Sequence, residues 1–177
     1  MRAALPRESS IAIDGETIMG IARQILPCYG ERRLFNAGTT GCMGTGVPYA
    51  IGAKLARPEA PSVALVGDYA FGAAALEVET AARVGAPVVF VVANNEGIAG
   101  HMLQDNMFPP GAPRIAALLP ANYEKFAELV DGHAERVDQP SQIRPALDRA
   151  LASGKVSVVH VRVDPKASRL SGGVYLR

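Results

Sequence analysis

The sequence has 177 residues, of which 49% are hydrophobic and 20% are charged. Lysine and arginine number 18 against 17 aspartate and glutamate residues, a balance that excludes a broad basic surface for nucleic acid or for an acidic membrane. This length suits one domain with a buried core, and the longest apolar run, 86–93, is far too short to span a bilayer. The N-terminus lacks a signal-peptide pattern, and Cys28 and Cys42 have no metal-ligand spacing, so we expect a soluble, cytoplasmic protein.

Short apolar runs alternate with helix-like segments along the chain. The predicted strands are 10–13, 34–35, 62–66, 87–93, 134–137 and 156–163. The predicted helices are 16–26, 48–55, 73–84, 123–130 and 141–151. This alternation predicts an α/β three-layer sandwich, in which a mainly parallel sheet carries helices on both faces. We expect a single domain over 1–163, followed by a tail over 164–177 that shows no periodicity.

Polar or glycine-rich residues follow the ends of several predicted strands. Asp14 follows the first strand, a glycine-rich stretch over 38–46 follows the second, Asp68 follows the third, and Asn94 and Asn95 follow the fourth. In a parallel sheet covered on both faces, ligands bind at the carboxyl ends of the strands. These residues are therefore expected to line one edge of the sheet.

Asp68 and the Asn94-Asn95 pair are the residues in this group best suited to hold a metal ion. Taken singly, an aspartate at a strand end is typical of a cap, and an Asn-Asn pair is typical of a turn. Together they place a carboxylate and an amide oxygen at the ends of two strands linked by one helix. With a backbone carbonyl and phosphate oxygens they suit octahedral Mg²⁺, and a helix starting near Phe71 would offer N–H groups to a phosphate.

The spacing of these residues resembles the cofactor-binding motif of thiamine-diphosphate-dependent enzymes. That motif runs Gly-Asp-Gly, a helix, a strand and Asn-Asn, and here Asp68 and Asn95 lie 27 positions apart (95 − 68). The resemblance implies that Asp68, Asn95 and the carbonyl of Gly97 hold Mg²⁺. It also assigns Tyr69 and Ala70, which directly follow Asp68, to binding of thiamine diphosphate.

The glycine-rich stretch adds a second resemblance to the same family. Residues 41–53 are similar to a family signature in which a bulky apolar side chain supports the bent cofactor. By this resemblance Met43 lies beneath the thiazolium, the Gly41 carbonyl accepts a hydrogen bond from the aminopyrimidine, and Thr17 contacts the diphosphate. Without the resemblance, the favoured interpretation of Met43 is a plain methionine of the core.

Within the family, the sequence is most similar to 2-hydroxyacyl-CoA lyases and oxalyl-CoA decarboxylases. The stretches that carry this similarity are 17–23, 37–39, 67–72, 77–80, 94–98 and 118–124. The similarity implies a carbon–carbon lyase that uses the covalent chemistry of the cofactor next to an acyl-CoA carbonyl. Two residues depart from the pattern, since Tyr69 replaces the final glycine of the motif and Ala99 stands where these relatives carry a tyrosine.

The family also implies a group that we do not find in this sequence. In thiamine-dependent enzymes a glutamate on a different domain activates the aminopyrimidine, and the acidic residues before residue 38 all fall in the segment that resembles the diphosphate-binding domain. We therefore expect a larger partner subunit that carries the pyrimidine-binding domain and this glutamate. The substrate implied by the resemblance is a small acyl-CoA or 2-oxo acid.

Several interpretations stay open at this point. His101 could handle protons near the substrate or be a solvated loop residue, whereas His160, in an apolar strand, is expected to be a hydrogen-bonded core residue. The tail over 164–177 could fold over the site as a lid or be a frayed terminus. A split 2-oxo-acid decarboxylase or acetolactate-type carboligase would share the cofactor residues. A non-catalytic regulatory subunit is a third interpretation, and the presence of Asp68, Asn95 and Met43 speaks against it, because an inactive site need not keep them. A generic nucleotide-binding domain is less favoured, because no Gly-x-Gly-x-x-Gly follows the first strand.

Overall fold

The computed structural model describes residues 1–98 and 109–165, and six strands in these ranges form one sheet. The strands are β1 (Ser10–Asp14), β2 (Leu34–Phe35), β3 (Ser62–Gly67), β4 (Val88–Asn94), β5 (His133–Val137) and β6 (Ser157–Arg162). Every pairing between them is parallel. All seven residues of β4 are buried, as expected for a central strand that is covered on both faces.

Helices cover both faces of this sheet. They are α1 (Thr17–Ile25), α2 (Gly46–Ala56), α3 (Asp68–Gly72), α4 (Glu77–Arg83), α5 (Lys125–Glu128) and α6 (Ile143–Ala152). Short 3₁₀ turns lie at Arg2–Ala4 and Pro140–Gln142. Within the described ranges, no helix is long and apolar enough to cross a membrane.

The core consists of two apolar layers, one on each face of the sheet. On one face, Val47 of α2, Phe71 of α3 and Val78 of α4 pack against the sheet. On the other face, Met19 of α1 and Leu147 of α6 do so. The structure thus confirms the predicted α/β three-layer sandwich.

The order of the strands creates a crevice beside β1. The sheet runs β2-β1-β3-β4-β6-β5, so the chain leaves β1 towards β2 and then crosses back to β3 on the other side of β1. The two connecting helices, α1 and α2, contribute to opposite core layers. In open α/β sheets, ligands bind where the strand order reverses in this way, outside the carboxyl ends of the strands.

Two predicted helices differ from the structure. The helix predicted over 73–84 begins earlier, at Asp68, and a turn over 73–76 divides it into α3 and α4. The early start has a local cause, because the Asp68 carboxylate accepts the N–H of Tyr69 at 2.7 Å in the first turn. The helix predicted over 123–130 is shorter, because the chain turns at Asp131 (φ 53°) into Gly132.

Candidate functional site

A cavity of about 190 Å³ lies in this crevice, at the carboxyl ends of β1, β3, β4 and β6. Its lining residues come from the ends of these strands, from the segments that follow them and from the glycine-rich stretch: Gly15, Glu16, Thr17, Ile18, Ile21, Met43, Gly67, Asp68, Tyr69, Ala70, Ala93, Asn95, Gly97, Ile98, Val163 and Asp164. The prediction that the residues after the strands meet at one edge of the sheet is therefore confirmed. The cavity combines one fully buried carboxylate with a largely apolar wall.

Asp68 is the buried carboxylate, with 1% of its surface exposed. Its Oδ1 accepts the N–H of Tyr69 at 2.7 Å, and its Oδ2 accepts the N–H of Gly97 at 3.0 Å. A carboxylate has about four lone-pair sites, so these two hydrogen bonds alone do not use its full acceptor capacity. The second hydrogen bond ties the end of β3 directly to the loop after β4, where Asn95 and Gly97 lie.

The loop after β4 is held by hydrogen bonds to several parts of the molecule. The N–H of Glu96 donates to Asn94 Oδ1 at 2.9 Å, and the N–H of Leu118 donates to the Glu96 carbonyl at 2.8 Å. The N–H of Ile98 donates to the carbonyl of Ala116 at 2.8 Å. Glu96 itself has φ 62°, a left-handed conformation that non-glycine residues adopt rarely. The loop around Asn95 and Gly97 therefore has a defined and locally unusual shape.

A buried polar chain lies below this loop. The side-chain amide of Asn94 is 3.0 Å from His160 Nε2, and His160 Nδ1 is 2.7 Å from Glu124 Oε2. Both Asn94 and His160 are buried. This arrangement confirms the expectation that His160 is a hydrogen-bonded core residue.

The glycine-rich stretch is anchored to β1 by Asp14. The Asp14 carboxylate is buried and accepts the N–H of Gly46, the first residue of α2, at 2.8 Å. Its other oxygen accepts the N–H of Gly15 at 2.7 Å. A side chain at position 46 would collide with Asp14 and Val66, so only glycine allows α2 to start this close to the sheet.

The apolar wall of the cavity comes mainly from α1 and from Met43. Ile18 and Ile21 of α1 line the cavity, whereas Met19 and Ala22 of the same helix are buried against the sheet. Met43 keeps 38% of its surface exposed, so it is not an ordinary core methionine. Such a wall suits an apolar ring system held next to a polar end at Asp68.

Tyr123 contributes an aromatic side chain behind the buried carboxylate. Its ring packs edge-on against Phe71 and against His160, with centroid distances of 5.9 Å and 5.6 Å. Burial raises the pKa of Tyr123 to about 12, and the negative charges of Asp68 and Glu96 act in the same direction. The phenol therefore keeps its proton at neutral pH.

The structure brings most of the predicted site residues together. The cavity is lined by Thr17, Met43, Asp68, Tyr69, Ala70, Asn95 and Gly97. Gly41 is exposed and is not among the lining residues. The Tyr69 N–H, expected to be available to the cofactor, is instead donated to Asp68. His101, Ala99 and residues 166–177 of the tail lie outside the described residues.

Sequence reasoning missed other residues that line the cavity. Ile18 and Ile21 lie within the helix predicted over 16–26 but are not among the predicted site residues, and neither are Ile98, Val163 and Asp164. The helical spacing of the isoleucines after Asp14 was the available signal, since an apolar stripe next to a strand end can face a ligand as readily as the core.

The types of donor at this site fit a magnesium diphosphate. Within the described residues, no group of three or more His, Cys, Asp or Glu side chains could hold a metal ion. A cation at Asp68 would thus depend on amide, carbonyl and non-protein oxygens, and Mg²⁺ is typically bound by one or two carboxylates together with phosphate oxygens. Asn95 and Gly97, in the same cavity, supply the two further oxygen types.

The fold and the cavity define an α/β domain with a candidate ligand site at the carboxyl edge of a parallel sheet. Comparison with known proteins identifies the family. Residues 15–161 match the family described as thiamine pyrophosphate enzyme, C-terminal TPP binding domain, where thiamine pyrophosphate is another name for thiamine diphosphate. The chain belongs to this family.

Curated proteins similar to this chain include enzymes of several kinds. The acetolactate synthase large subunit of Mycobacterium tuberculosis is 37% identical over 95% of this chain and 31% of its own length. The 2-hydroxyacyl-CoA lyase of Oryza sativa is 34% identical over 92% of this chain and 29% of its own length. Oxalyl-CoA decarboxylase of Escherichia coli is 36% identical over 91% of this chain and 28% of its own length. The chain thus spans under a third of the length of these relatives.

Proposed function

We propose that this chain is the small subunit of a split thiamine-diphosphate-dependent 2-hydroxyacyl-CoA lyase. The observation that carries the proposal is the meeting of Asp68, Asn95 and Gly97 in one cavity that has an apolar wall. Similarity to two kinds of acyl-CoA enzyme, a lyase and a decarboxylase, supports the substrate class. The reaction would make or break a carbon–carbon bond next to an acyl-CoA carbonyl.

The predicted site residues that line the cavity have distinct roles in this proposal. Asp68, Asn95 and the Gly97 carbonyl would hold Mg²⁺ together with diphosphate oxygens. Thr17, at the start of α1, and Tyr69 and Ala70, at the start of α3, would contact the diphosphate. Because Asp68 already accepts the Tyr69 N–H, that donor becomes available to the diphosphate only if the carboxylate turns towards the metal.

The apolar part of the cavity would receive the ring end of the cofactor. Met43 would support the thiazolium, and the exposed Gly41 carbonyl would accept a hydrogen bond from the aminopyrimidine. When bound, thiamine diphosphate supplies a carbon nucleophile that adds to carbonyl groups and then stabilises the adjacent negative charge. The residues of this chain orient the cofactor and exclude water on the side of Ile18 and Ile21.

The activating glutamate would come from a second, larger polypeptide. The acidic residues that line the described cavity are Glu16, Asp68 and Asp164. Asp68 is assigned to the metal, and Glu16 accepts the Thr17 hydroxyl at 3.1 Å on the side assigned to the diphosphate. Met43 and Tyr69 leave more than a third of their surfaces exposed at the cavity, and a partner domain seated there would bury them.

An acetolactate-type carboligase is the second candidate. The acetolactate synthase large subunit of Mycobacterium tuberculosis matches this chain at 37% identity, level with the acyl-CoA enzymes and over a similar share of the chain. The cofactor residues would serve both reactions equally. The two candidates differ in substrate, since a carboligase of this type would act on 2-oxo acids without a CoA thioester.

The test is reconstitution of the chain with the polypeptide encoded next to it, in the presence of thiamine diphosphate and Mg²⁺. Cleavage of 2-hydroxyacyl-CoA that needs both polypeptides would support the lyase, and consumption of pyruvate without CoA would support the carboligase. Reconstituted complexes that bind the cofactor but turn over neither substrate would favour a regulatory subunit.

The proposal that the tail over 164–177 acts as a lid is tested by deletion of 170–177. A lid requires that this deletion change turnover or substrate affinity.

A further inference from the structure

The polar chain below the loop after β4 has no part in the proposed chemistry, yet both ring nitrogens of its central residue, His160, have side-chain hydrogen-bond partners. It starts at Glu124, immediately before α5, passes through His160 in the middle of β6, and ends at Asn94, the last residue of β4. Its members are 36 and 66 residues apart in sequence. The members of a buried polar chain need hydrogen-bond partners, because a buried polar group without a partner lowers the free energy of unfolding.

The direction of each hydrogen bond follows from the ends of the chain. Asn94 Oδ1 accepts the N–H of Glu96 at 2.9 Å, so the amide nitrogen of Asn94 is the atom that faces His160. An amide nitrogen can only donate, so His160 Nε2 must accept. His160 Nδ1 then carries the proton and donates it to the Glu124 carboxylate at 2.7 Å. All three hydrogen bonds of the polar chain are thus donated in the same direction, from the Glu96 N–H towards the Glu124 carboxylate.

The loop at the end of this chain holds the residues assigned to the metal. Asn94 directly precedes Asn95, and the residue that it binds, Glu96, lies between Asn95 and Gly97. Glu96 is held at φ 62°, which a glutamate does not adopt without support from its surroundings. The N–H of Val163, just after β6, also donates to the Asn94 carbonyl at 2.9 Å. Asn94 is therefore fixed by both its side chain and its backbone.

We propose that Glu124 and His160 are positioning residues, which act through Asn94 to set the shape of the metal-binding loop over 95–97. Glu124 fixes the tautomer and the ring orientation of His160, and His160 fixes the amide of Asn94. Asn94 Oδ1 then holds the Glu96 N–H, and with it the left-handed turn that brings Asn95 and Gly97 to the same cavity as Asp68. The link to metal binding rests on the proposed function, whereas the effect on the loop does not.

The experiment compares three variants of the full chain with the wild type. Glu124→Ala removes the acceptor, Glu124→Gln keeps an acceptor oxygen, and Glu128→Ala, on the exposed side of α5, is the matched control. Hydrogen exchange of the Glu96 amide, measured by NMR without cofactor, reports the loop directly. We expect exchange about tenfold faster in Glu124→Ala, the effect of weakening about one hydrogen bond, and rates within about twofold of wild type in the other two variants.

A second readout is the affinity for Mg²⁺ with thiamine diphosphate present, using the reconstituted complex. We expect binding about tenfold weaker in Glu124→Ala, with rescue in Glu124→Gln. A lower melting temperature with unchanged Glu96 exchange would overturn the proposal and leave a purely structural chain. If Glu124→Ala does not fold, ¹⁵N NMR of wild-type His160 decides, because a proton on Nε2 instead of Nδ1 would also overturn it. Failure of the wild type to bind Mg²⁺ would refute the proposed function. Hydrogen exchange of the Glu96 amide would still decide whether Glu124 and His160 position the loop.

Discussion

The contact between α2 and β1 allows a quantitative prediction about Gly46. A Cβ atom at this position would lie 2.6 Å from Asp14 Cβ and 2.8 Å from Val66 Cγ1. Comfortable carbon–carbon contacts are about 3.5–4.0 Å, so Gly46→Ala requires the helix and the sheet to separate by about 1 Å. Neither neighbour can yield easily, because one atom is fixed to the backbone and the other belongs to a stiff, β-branched side chain.

The expected cost follows from two opposing effects. Overpacking of this kind lowers the free energy of unfolding by about 1–3 kcal/mol. Replacement of glycine by alanine in a helix raises it by at most about 1 kcal/mol. Since both clashes involve anchored atoms, we expect Gly46→Ala to lower the free energy of unfolding by about 2 kcal/mol. For a chain of this size that corresponds to a fall in melting temperature of about 4–8 °C.

Gly52, on the same helix, provides the matched control. Among the described residues, no atom outside its immediate surroundings would lie within 4 Å of an added Cβ, so Gly52→Ala should stabilise the chain by about 1 kcal/mol. Urea denaturation of the two variants and the wild type measures both effects. Equal stability of Gly46→Ala and wild type would refute the close packing of α2 against Asp14 and Val66.

Three further predictions concern the core and its charges. The pKa of Tyr123 is raised to about 12, so the unfolded chain loses the phenol proton at a lower pH than the folded chain does. The free energy of unfolding should therefore fall as the pH rises from about 10 to 12. Ultraviolet titration should show a late-ionising tyrosine that is absent in Tyr123→Phe. The Arg149 guanidinium lowers the pKa of Glu135. The stabilisation that ionised Glu135 gives the folded chain is therefore present above the ordinary carboxyl pKa and is lost as the pH falls. Acid unfolding followed by circular dichroism should show a smaller loss of stability in Glu135→Gln than in wild type. Phe71→Ala, which removes a fully buried ring from a cluster of aromatic side chains, should cost about 3–5 kcal/mol by urea denaturation, and a loss below about 1 kcal/mol would contradict the packing described.

The strands were predictable because buried parallel strands are continuous apolar runs. β4 is apolar from Val88 to Ala93 and is buried throughout, so sequence and structure agree there to within one residue. The helix α1 shows where periodicity is insufficient. Its spacing predicts a helix, but the sheet is contacted by Met19 and Ala22, whereas Ile25 is 61% exposed. Hydrophobic spacing alone does not distinguish a stripe that faces the core from one that faces a ligand.

The site was predictable as far as it depends on strand ends. The positions of Asp68 and Asn95 after neighbouring strands were enough to place them at one edge. The hydrogen bond from Gly46 to Asp14 and the pairing of Glu124 with His160 were not predictable, because each joins residues more than 30 positions apart. Such contacts depend on how the helices pack against the sheet, and local sequence patterns do not determine that packing.

The assignment of the cavity to thiamine diphosphate and Mg²⁺ is the central claim, and one titration tests it most directly. Thiamine diphosphate is titrated calorimetrically, with and without Mg²⁺, into the chain alone and into the chain co-expressed with the polypeptide encoded next to it. Asp68→Ala is compared with Asp148→Ala, an exposed control on α6. We predict Mg²⁺-dependent binding that is strongest in the co-expressed complex, abolished by Asp68→Ala and unchanged by Asp148→Ala. Binding that survives Asp68→Ala, or no binding by either wild-type preparation, would contradict the account.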